Sequence, residues 1–388
     1  MRIHRMVAAL MALALVLAAC GGSSTSTTAG GDGSTTTAGG STDSTAPSPG
    51  GVKEVVILAS GDPPDFDPHT SGATEKSNVV HNVYDSLTML DADQTETLPA
   101  LATEWELIDD LTWEFKLREG VKFHNGEDFT AEDVKFSAER LHDPNAEVAR
   151  LTSSLPDFDH AEVIDDYTVR IHTKSPDPIL PQRIYGLLIV PNEYTASISE
   201  SEFAMSPVGT GPYKLAEYVP GQRIVMEAND DYWGGRPKVD RLVIRPVPEP
   251  STRVAELQTG GADIIQQAPV AQMAEIEASG NARVEVRDGR RVAFVGLDLL
   301  PGGPEALQDK RVRHALNHAV DVDLILQTIN EGYGTRLATN FRPDFFGFDP
   351  NAKPFEHDPE KAKQLLAEAS YAEGLTLSFQ TSDQVFPG

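Results

Sequence analysis

The chain has 388 residues, with 32 basic against 59 acidic side chains, a formal net charge of −27 and a single cysteine. A surface this acidic repels nucleic acid and anionic lipid, so no nucleic-acid partner is expected. Cys20 has no second thiol to pair with, which excludes an internal disulfide and any metal cluster built on paired cysteines.

Arg2, His4 and Arg5 form a short basic region, and Met6 to Ala19 is an unbroken apolar run. That run is too short for a comfortable membrane span, and it ends in Leu17-Ala18-Ala19-Cys20. Residues 1–19 therefore read as a lipoprotein signal peptide, with cleavage before Cys20 and lipidation of its thiol. The alternative is an ordinary secretory signal in which Cys20 is incidental. Residues 20–51 are nearly all Gly, Ser, Thr, Ala and Pro, a composition that buries no apolar surface and predicts a disordered tether. A flexible chain of that length spans about 30 Å, which suits anchoring beside a membrane partner.

From Val52 onward, strand and helix signals alternate in an α/β pattern. Val55 to Leu58 reads as a buried strand broken by Gly61-Asp62-Pro63-Pro64, and Val79, Val83 and Leu87 give a helical apolar stripe. Trp113, Phe115 and Leu117 alternate with Thr112, Glu114 and Lys116, the period of a half-buried strand. Thr130 with Asp133 predicts a capping box opening a helix that carries Val134, Ala138 and Leu141 on one side. Asp165-Asp166 separates two strand-like runs, a hairpin signal, and a second hairpin runs from Tyr213 to Val219 and back through Ile224 and Met226. Further strands are expected at Leu242–Val247 and Val292–Leu299. Between them, Val254 and Leu257 mark a helix ending at Gly260-Gly261. Asp358 and Pro359 start a last helix bearing Ala362, Leu365, Leu366 and Ala369.

Four ordered stretches carry a resemblance. They are LPALATEWELIDDLTWEFKLREGVKFHNGEDFTAEDVKFSAERL (Leu98–Leu141), GTGPYKLAEYVPGQRIVMEANDDYWGG (Gly209–Gly235) with LQTGGADI (Leu257–Ile264), RVRHALNHAVDVDLIL (Arg311–Leu326) and HDPEKAKQLLAEASY (His357–Tyr371). Together they resemble the family 5 extracellular solute-binding proteins of ABC importers, which take oligopeptides, dipeptides, nickel chelates and some oligosaccharides. Read physically, Asn125-Gly126 suits a tight turn, His124 is a turn or packing residue, and Tyr232 with Trp233 plug a core.

The resemblance implies an α/β, bilobed, periplasmic-binding-protein-like fold with a hinged cleft and an extra subdomain, C-terminally truncated. Its segments are expected at 52–74 (lobe I, first part), 75–205 (subdomain II), 206–288 (lobe I, second part) and 289–388 (lobe III, incomplete). It implies a monomer that captures a peptide or peptide-like ligand and delivers it to an ABC permease, lipid-anchored on the extracytoplasmic face. Closing such a cleft on a ligand gives the permease a loaded shape to recognise. It also places the loop GDPPDFDPHT near the cleft, making Asp62, Phe66 and Asp67 the ligand-binding candidates. An acidic group there suits a ligand ammonium, and an aromatic suits apolar side chains. The other reading of Asp67-Pro68 is a turn and helix-entry device.

No catalytic motif, metal site or cofactor signature is present: there is no GxSxG, no HExxH and no phosphate-cradling glycine loop. His69, His81, His124, His314 and His357 are too scattered for a metal site. The rival readings are a surface lipoprotein acting as ligand sensor or adhesin, and a secreted hydrolase.

Overall fold

The computed structural model describes residues 52–92, 96–146, 150–287, 289, 292–343 and 347–380. The signal peptide, Cys20 and the tether lie outside the described residues.

Strand β1 (Glu54–Ala59) leads through a loop into helix α1 (Thr74–Val83). A short hairpin follows, β2 (Thr88–Leu90) with β3 (Thr97–Pro99), and then β4 (Ala102–Asp109) and β5 (Thr112–Leu117). Helix α2 (Ala131–Leu141) opens with the expected box: the Asp133 carboxylate accepts from the Thr130 amide at 2.8 Å, while Thr130 caps the Asp133 amide. Such a cap contributes about 1 kcal/mol. Its buried face carries Val134, Ala138 and Leu141. The hairpin β6 (Phe158–Asp165) and β7 (Thr168–Thr173) turns at Asp165-Asp166, as the sequence predicts.

These strands form a four-stranded antiparallel sheet in the order β4-β5-β7-β6, one face packed on α2. Phe115, Leu117, Val169 and Ile171 point into that core with Phe123, Phe129 and Leu155, while Arg170 and His172 alternate outward.

Three short helices follow, α3 (Leu180–Arg183), α4 (Asn192–Ser197) and α5 (Glu200–Phe203). The chain then enters β8 (Tyr213–Val219), turns at Gly221 with φ 71°, and returns as β9 (Arg223–Ala228) and β10 (Arg241–Pro246). Helix α6 (Pro250–Thr259) crosses over to β11 (Ile264–Ile265) and ends at Gly260, φ 79°, the left-handed cap expected there. A second sheet results, ordered β11-β1-β10-β9-β8, in which β1 runs parallel to both β10 and β11. It joins β1 from one end of the sequence to strands more than 150 residues later, and its core contains Phe66, Tyr213, Ile224, Met226 and Ile244. Helix α1, placed in the subdomain by the sequence reading, buries Val79, Val80 and Val83 in this same core.

Helix α7 (Val270–Ala278) is followed by α8 (Glu305–Gln308), α9 (Lys310–Ala319), α10 (Val322–Thr328) and α11 (Pro359–Glu368). Asp358 caps α11 through the Lys361 amide at 2.9 Å, as expected. Helices α9 and α11 share a small core of Leu307, Val312 and Ala369. The strand expected at Val292–Leu299 does not form: the segment has no regular secondary structure, with Phe294 and Val295 exposed. Its alternation fits a sheet face, yet no neighbouring strand among the described residues offers a ladder of hydrogen bonds.

Candidate functional site

The loop from Ser60 to Ala73, between β1 and α1, is fixed by buried charge. Asp65 turns it by accepting from the Asp67 amide at 2.9 Å, and its carboxylate meets the fully buried Lys76 ammonium at 2.5 Å. The Phe66 ring is completely buried, edge-on to Tyr218 with centroids 4.9 Å apart.

Asp67 is also buried. Its Oδ1 accepts from the His69 amide at 3.0 Å and from Arg140 Nη1 at 2.9 Å; its Oδ2 accepts from Arg140 Nη2 at 2.6 Å and Arg150 Nη1 at 2.7 Å. Burial alone raises this carboxyl's pKa, but the Arg140 hydrogen bonds and charge, with His69, hold it far below the usual carboxylate range. Arg150 reaches on to Glu200. His69 donates from Nε2 to the Leu188 carbonyl at 2.7 Å, leaving Nδ1 to accept from Arg140 at 2.9 Å. Burial and the Arg140 charge lower its pKa to about 4, so it is neutral.

Two hollows open beyond this staple. One, about 450 Å³, is bordered by Pro68, Ser71 and Gly72 of the loop, Val80 and His81 of α1, Leu151, Ser154, Arg183 and Phe341. The other, about 300 Å³, shares His81, Tyr185 and Leu188 with it and extends to Asp85, Met89 and Ala100. The first mixes aliphatic and aromatic surface with the side chains of Ser71, Ser154 and Arg183, the last paired with Asp177. An apolar concavity bordered by a few polar side chains suits a small organic ligand. A larger cavity of about 710 Å³ borders the staple itself, lined by Arg140, Glu200, His142, Phe158, Thr195 and Phe203.

None of Asp62, Phe66 and Asp67 lines these hollows. The Phe66 and Asp67 side chains are buried in the interior, and Asp62 accepts from the Gly221 amide in the β8–β9 turn, with its Oδ1 buried and unpartnered. The next residues, Pro68, Ser71 and Gly72, reach the rim instead. The fixing residues Arg140 and Arg150 have no local sequence signature, since they lie 73 and 83 positions from Asp67.

The wall of the second hollow holds Asp85, buried and hydrogen-bonded by Trp233 Nε1 at 2.8 Å, Thr210 Oγ1 at 2.9 Å and Tyr232 Oη at 3.2 Å. Burial raises its pKa, and these donors oppose the rise. Tyr232 and Trp233, expected as core plugs, are half-buried and act as donors, with the Arg118 guanidinium 4.4 Å over the Trp233 ring. His124 packs in the structural role expected of it, its Nε2 donating to the Gly211 carbonyl at 2.9 Å.

Residues 96–386 match the sequence profile described as bacterial extracellular solute-binding proteins, family 5 Middle. Heme-binding protein A of Haemophilus influenzae is 33% identical over 76% of this chain and 58% of its own length. The dipeptide-binding protein of Escherichia coli is 29% identical over 84% and 65%. Among solved structures, an ABC transporter-associated periplasmic binding protein from Helicobacter pylori, in complex with the peptide STSA, superposes with a TM-score of 0.69. It is 29% identical, over 83% of this chain and 67% of that one. The chain spans about three fifths of the length of the curated relatives it matches. The fold is the mixed α/β fold of these binding proteins.

Proposed function

Because the chain belongs to the family 5 extracellular solute-binding proteins, we propose that it is the extracytoplasmic, non-enzymatic substrate-binding component of an ABC importer. It captures peptides or peptide-like solutes and hands them to a membrane permease. The observation that carries the reading within this chain is the pair of joined hollows, whose rim is the Pro68–Gly72 loop stapled from behind through Asp67.

In this reading the chemistry divides by position. Phe66 and Asp67 hold the loop backbone in place, and Asp62 ties it to the β8–β9 turn. The ligand meets Ser71, Ser154, Arg183 and the aromatic and aliphatic lining. A peptide suits such a surface because main-chain groups on both partners supply hydrogen bonds while side chains fill the apolar hollows. The chain acts as a monomer attached through lipid on Cys20, the acidic surface keeping it solvated above the membrane.

Thermal melting against panels of di- to oligopeptides, glutathione, heme, nickel chelates and oligosaccharides tests the cargo. A ligand at a hundredfold excess over its dissociation constant adds about 2.7 kcal/mol. A selective rise with peptides supports the reading, and a rise with heme alone, or with none of the panel, refutes peptide cargo. The anchor is tested separately by Cys20→Ser: the wild-type protein is expected in the membrane fraction and the variant in the soluble one.

A further inference from the structure

Resting on the peptide reading above, we propose that the hollow of about 450 Å³ takes an uncharged apolar side chain of the ligand, aromatic rings foremost, and that Phe341 sets this preference. The first argument is charge. Among the described residues no Asp or Glu lines the hollow, so a ligand ammonium brought there would lose water and gain no carboxylate. Arg183 does line it, but its guanidinium is already paired with Asp177, a buried carboxylate outside the lining. Desolvation lowers the His81 pKa below its ordinary value, leaving that ring neutral at pH 7.5. A charged side chain would be desolvated without a new partner, whereas Val80, Leu151, Ile179 and Leu188 offer apolar contact.

The second argument is exposure. Leu151, Tyr185 and Phe341 are large apolar side chains between 37% and 46% exposed, and all three border this one hollow. They come from three separate stretches of chain, and a ligand ring seated in the hollow would cover apolar surface that otherwise stands in water. Phe341 is the distant member, since every other described lining residue falls between Pro68 and Leu188. Its amide donates to Thr339 Oγ1 at 3.1 Å, and Arg342 beside it donates to the Gly289 carbonyl, so the backbone presenting the ring is tied down. With Phe341 and Tyr185 both at the hollow, a ligand ring gains edge and face contacts that an aliphatic chain does not.

The test is calorimetric titration of the full chain with the tripeptide Ala-Ala-Ala and with variants carrying Phe, Leu, Glu or Lys at each position in turn, beside Phe341→Ala and Phe341→Tyr. We expect the best Phe peptide to bind at least about tenfold tighter than Ala-Ala-Ala and than its Glu and Lys counterparts. Phe341→Ala should erase most of that advantage with the affinity for Ala-Ala-Ala nearly unchanged, and Phe341→Tyr should keep it. Phe341 is exposed, so its truncation leaves the core intact. N-acetylphenylalaninamide carries the side chain without charged termini and separates the two claims. By ligand-observed nuclear magnetic resonance it should bind the wild type and not Phe341→Ala. That result with no peptide bound would refute peptide cargo and uphold the pocket. Peptides that bind with no Phe advantage, or with one unchanged in Phe341→Ala, overturn the pocket and leave the peptide reading standing, and silence of every probe overturns both.

Discussion

Arg140 grips Asp67 with both terminal nitrogens, Nη1 to Oδ1 at 2.9 Å and Nη2 to Oδ2 at 2.6 Å, with neither side chain exposed beyond 8%. The fork joins α2 to the β1–α1 loop, and Arg150 adds a third bond from a separate stretch of chain. Removing the carboxylate leaves two guanidinium groups buried against each other. Asp67→Ala is expected to cost about 3–5 kcal/mol, measured by urea unfolding. An effect below 1 kcal/mol would mean that water replaces the carboxylate at no loss.

The same pair sets an acid limit. The folded pKa of Asp67 lies below its unfolded value of about 3.9, so its contribution is complete above pH 4 and is lost as the pH falls below that. Unfolding free energy in the wild type should drop on acidification from pH 4, and Asp67→Asn, already destabilised, should drop less. Parallel curves would contradict the assignment.

His124 acts in a higher pH window. Burial depresses its folded pKa to about 4, against about 6.5 when unfolded, so the unfolded chain binds its proton first. Stability from neutral His124 is present above pH 6.5 and declines as the pH falls towards 4. The stability difference between wild type and His124→Gln should therefore shrink by about 3 kcal/mol between pH 7.5 and pH 4. A difference that stays constant with pH would show that His124 does not titrate on unfolding.

The Gly209-Thr210-Gly211 stretch belongs to the family resemblance, and its glycines have a steric reason. A Cβ on Gly209 would sit 2.1 Å from the Val83 carbonyl oxygen, and one on Gly211 would sit 2.6 Å from that of Asn82. Both obstacles are backbone at the end of α1, so rotation of a side chain offers no relief. Gly209→Ala is expected to cost about 1–3 kcal/mol or more, read as a lowered melting temperature. An unchanged melting temperature would require the α1 terminus to shift freely.

Locally coded features were legible in the sequence. The Thr130–Asp133 box, the Gly260 cap, the Asp358 cap and the two hairpins each depend on residues within a few positions of one another. The Asp67 staple and the donors to Asp85 were not, because their partners come from 73 to 148 positions away. In the loop GDPPDFDPHT the conspicuous Phe66 and Asp67 turn inward, while Pro68 within it and Ser71 and Gly72 just after it border the hollow. Val292–Leu299 has the composition of a strand, which by itself supplies no partner.

Calorimetric titration of the best peptide from the melting panel into wild type and Tyr185→Ala tests the central claim most directly. Tyr185 borders both hollows and is partly exposed, so its loss should remove contact area and leave the core intact. The account predicts one equivalent of peptide bound by the wild type, and affinity at least about tenfold weaker in the variant at an unchanged melting temperature. Equal affinity in the two proteins would place the ligand elsewhere and contradict it.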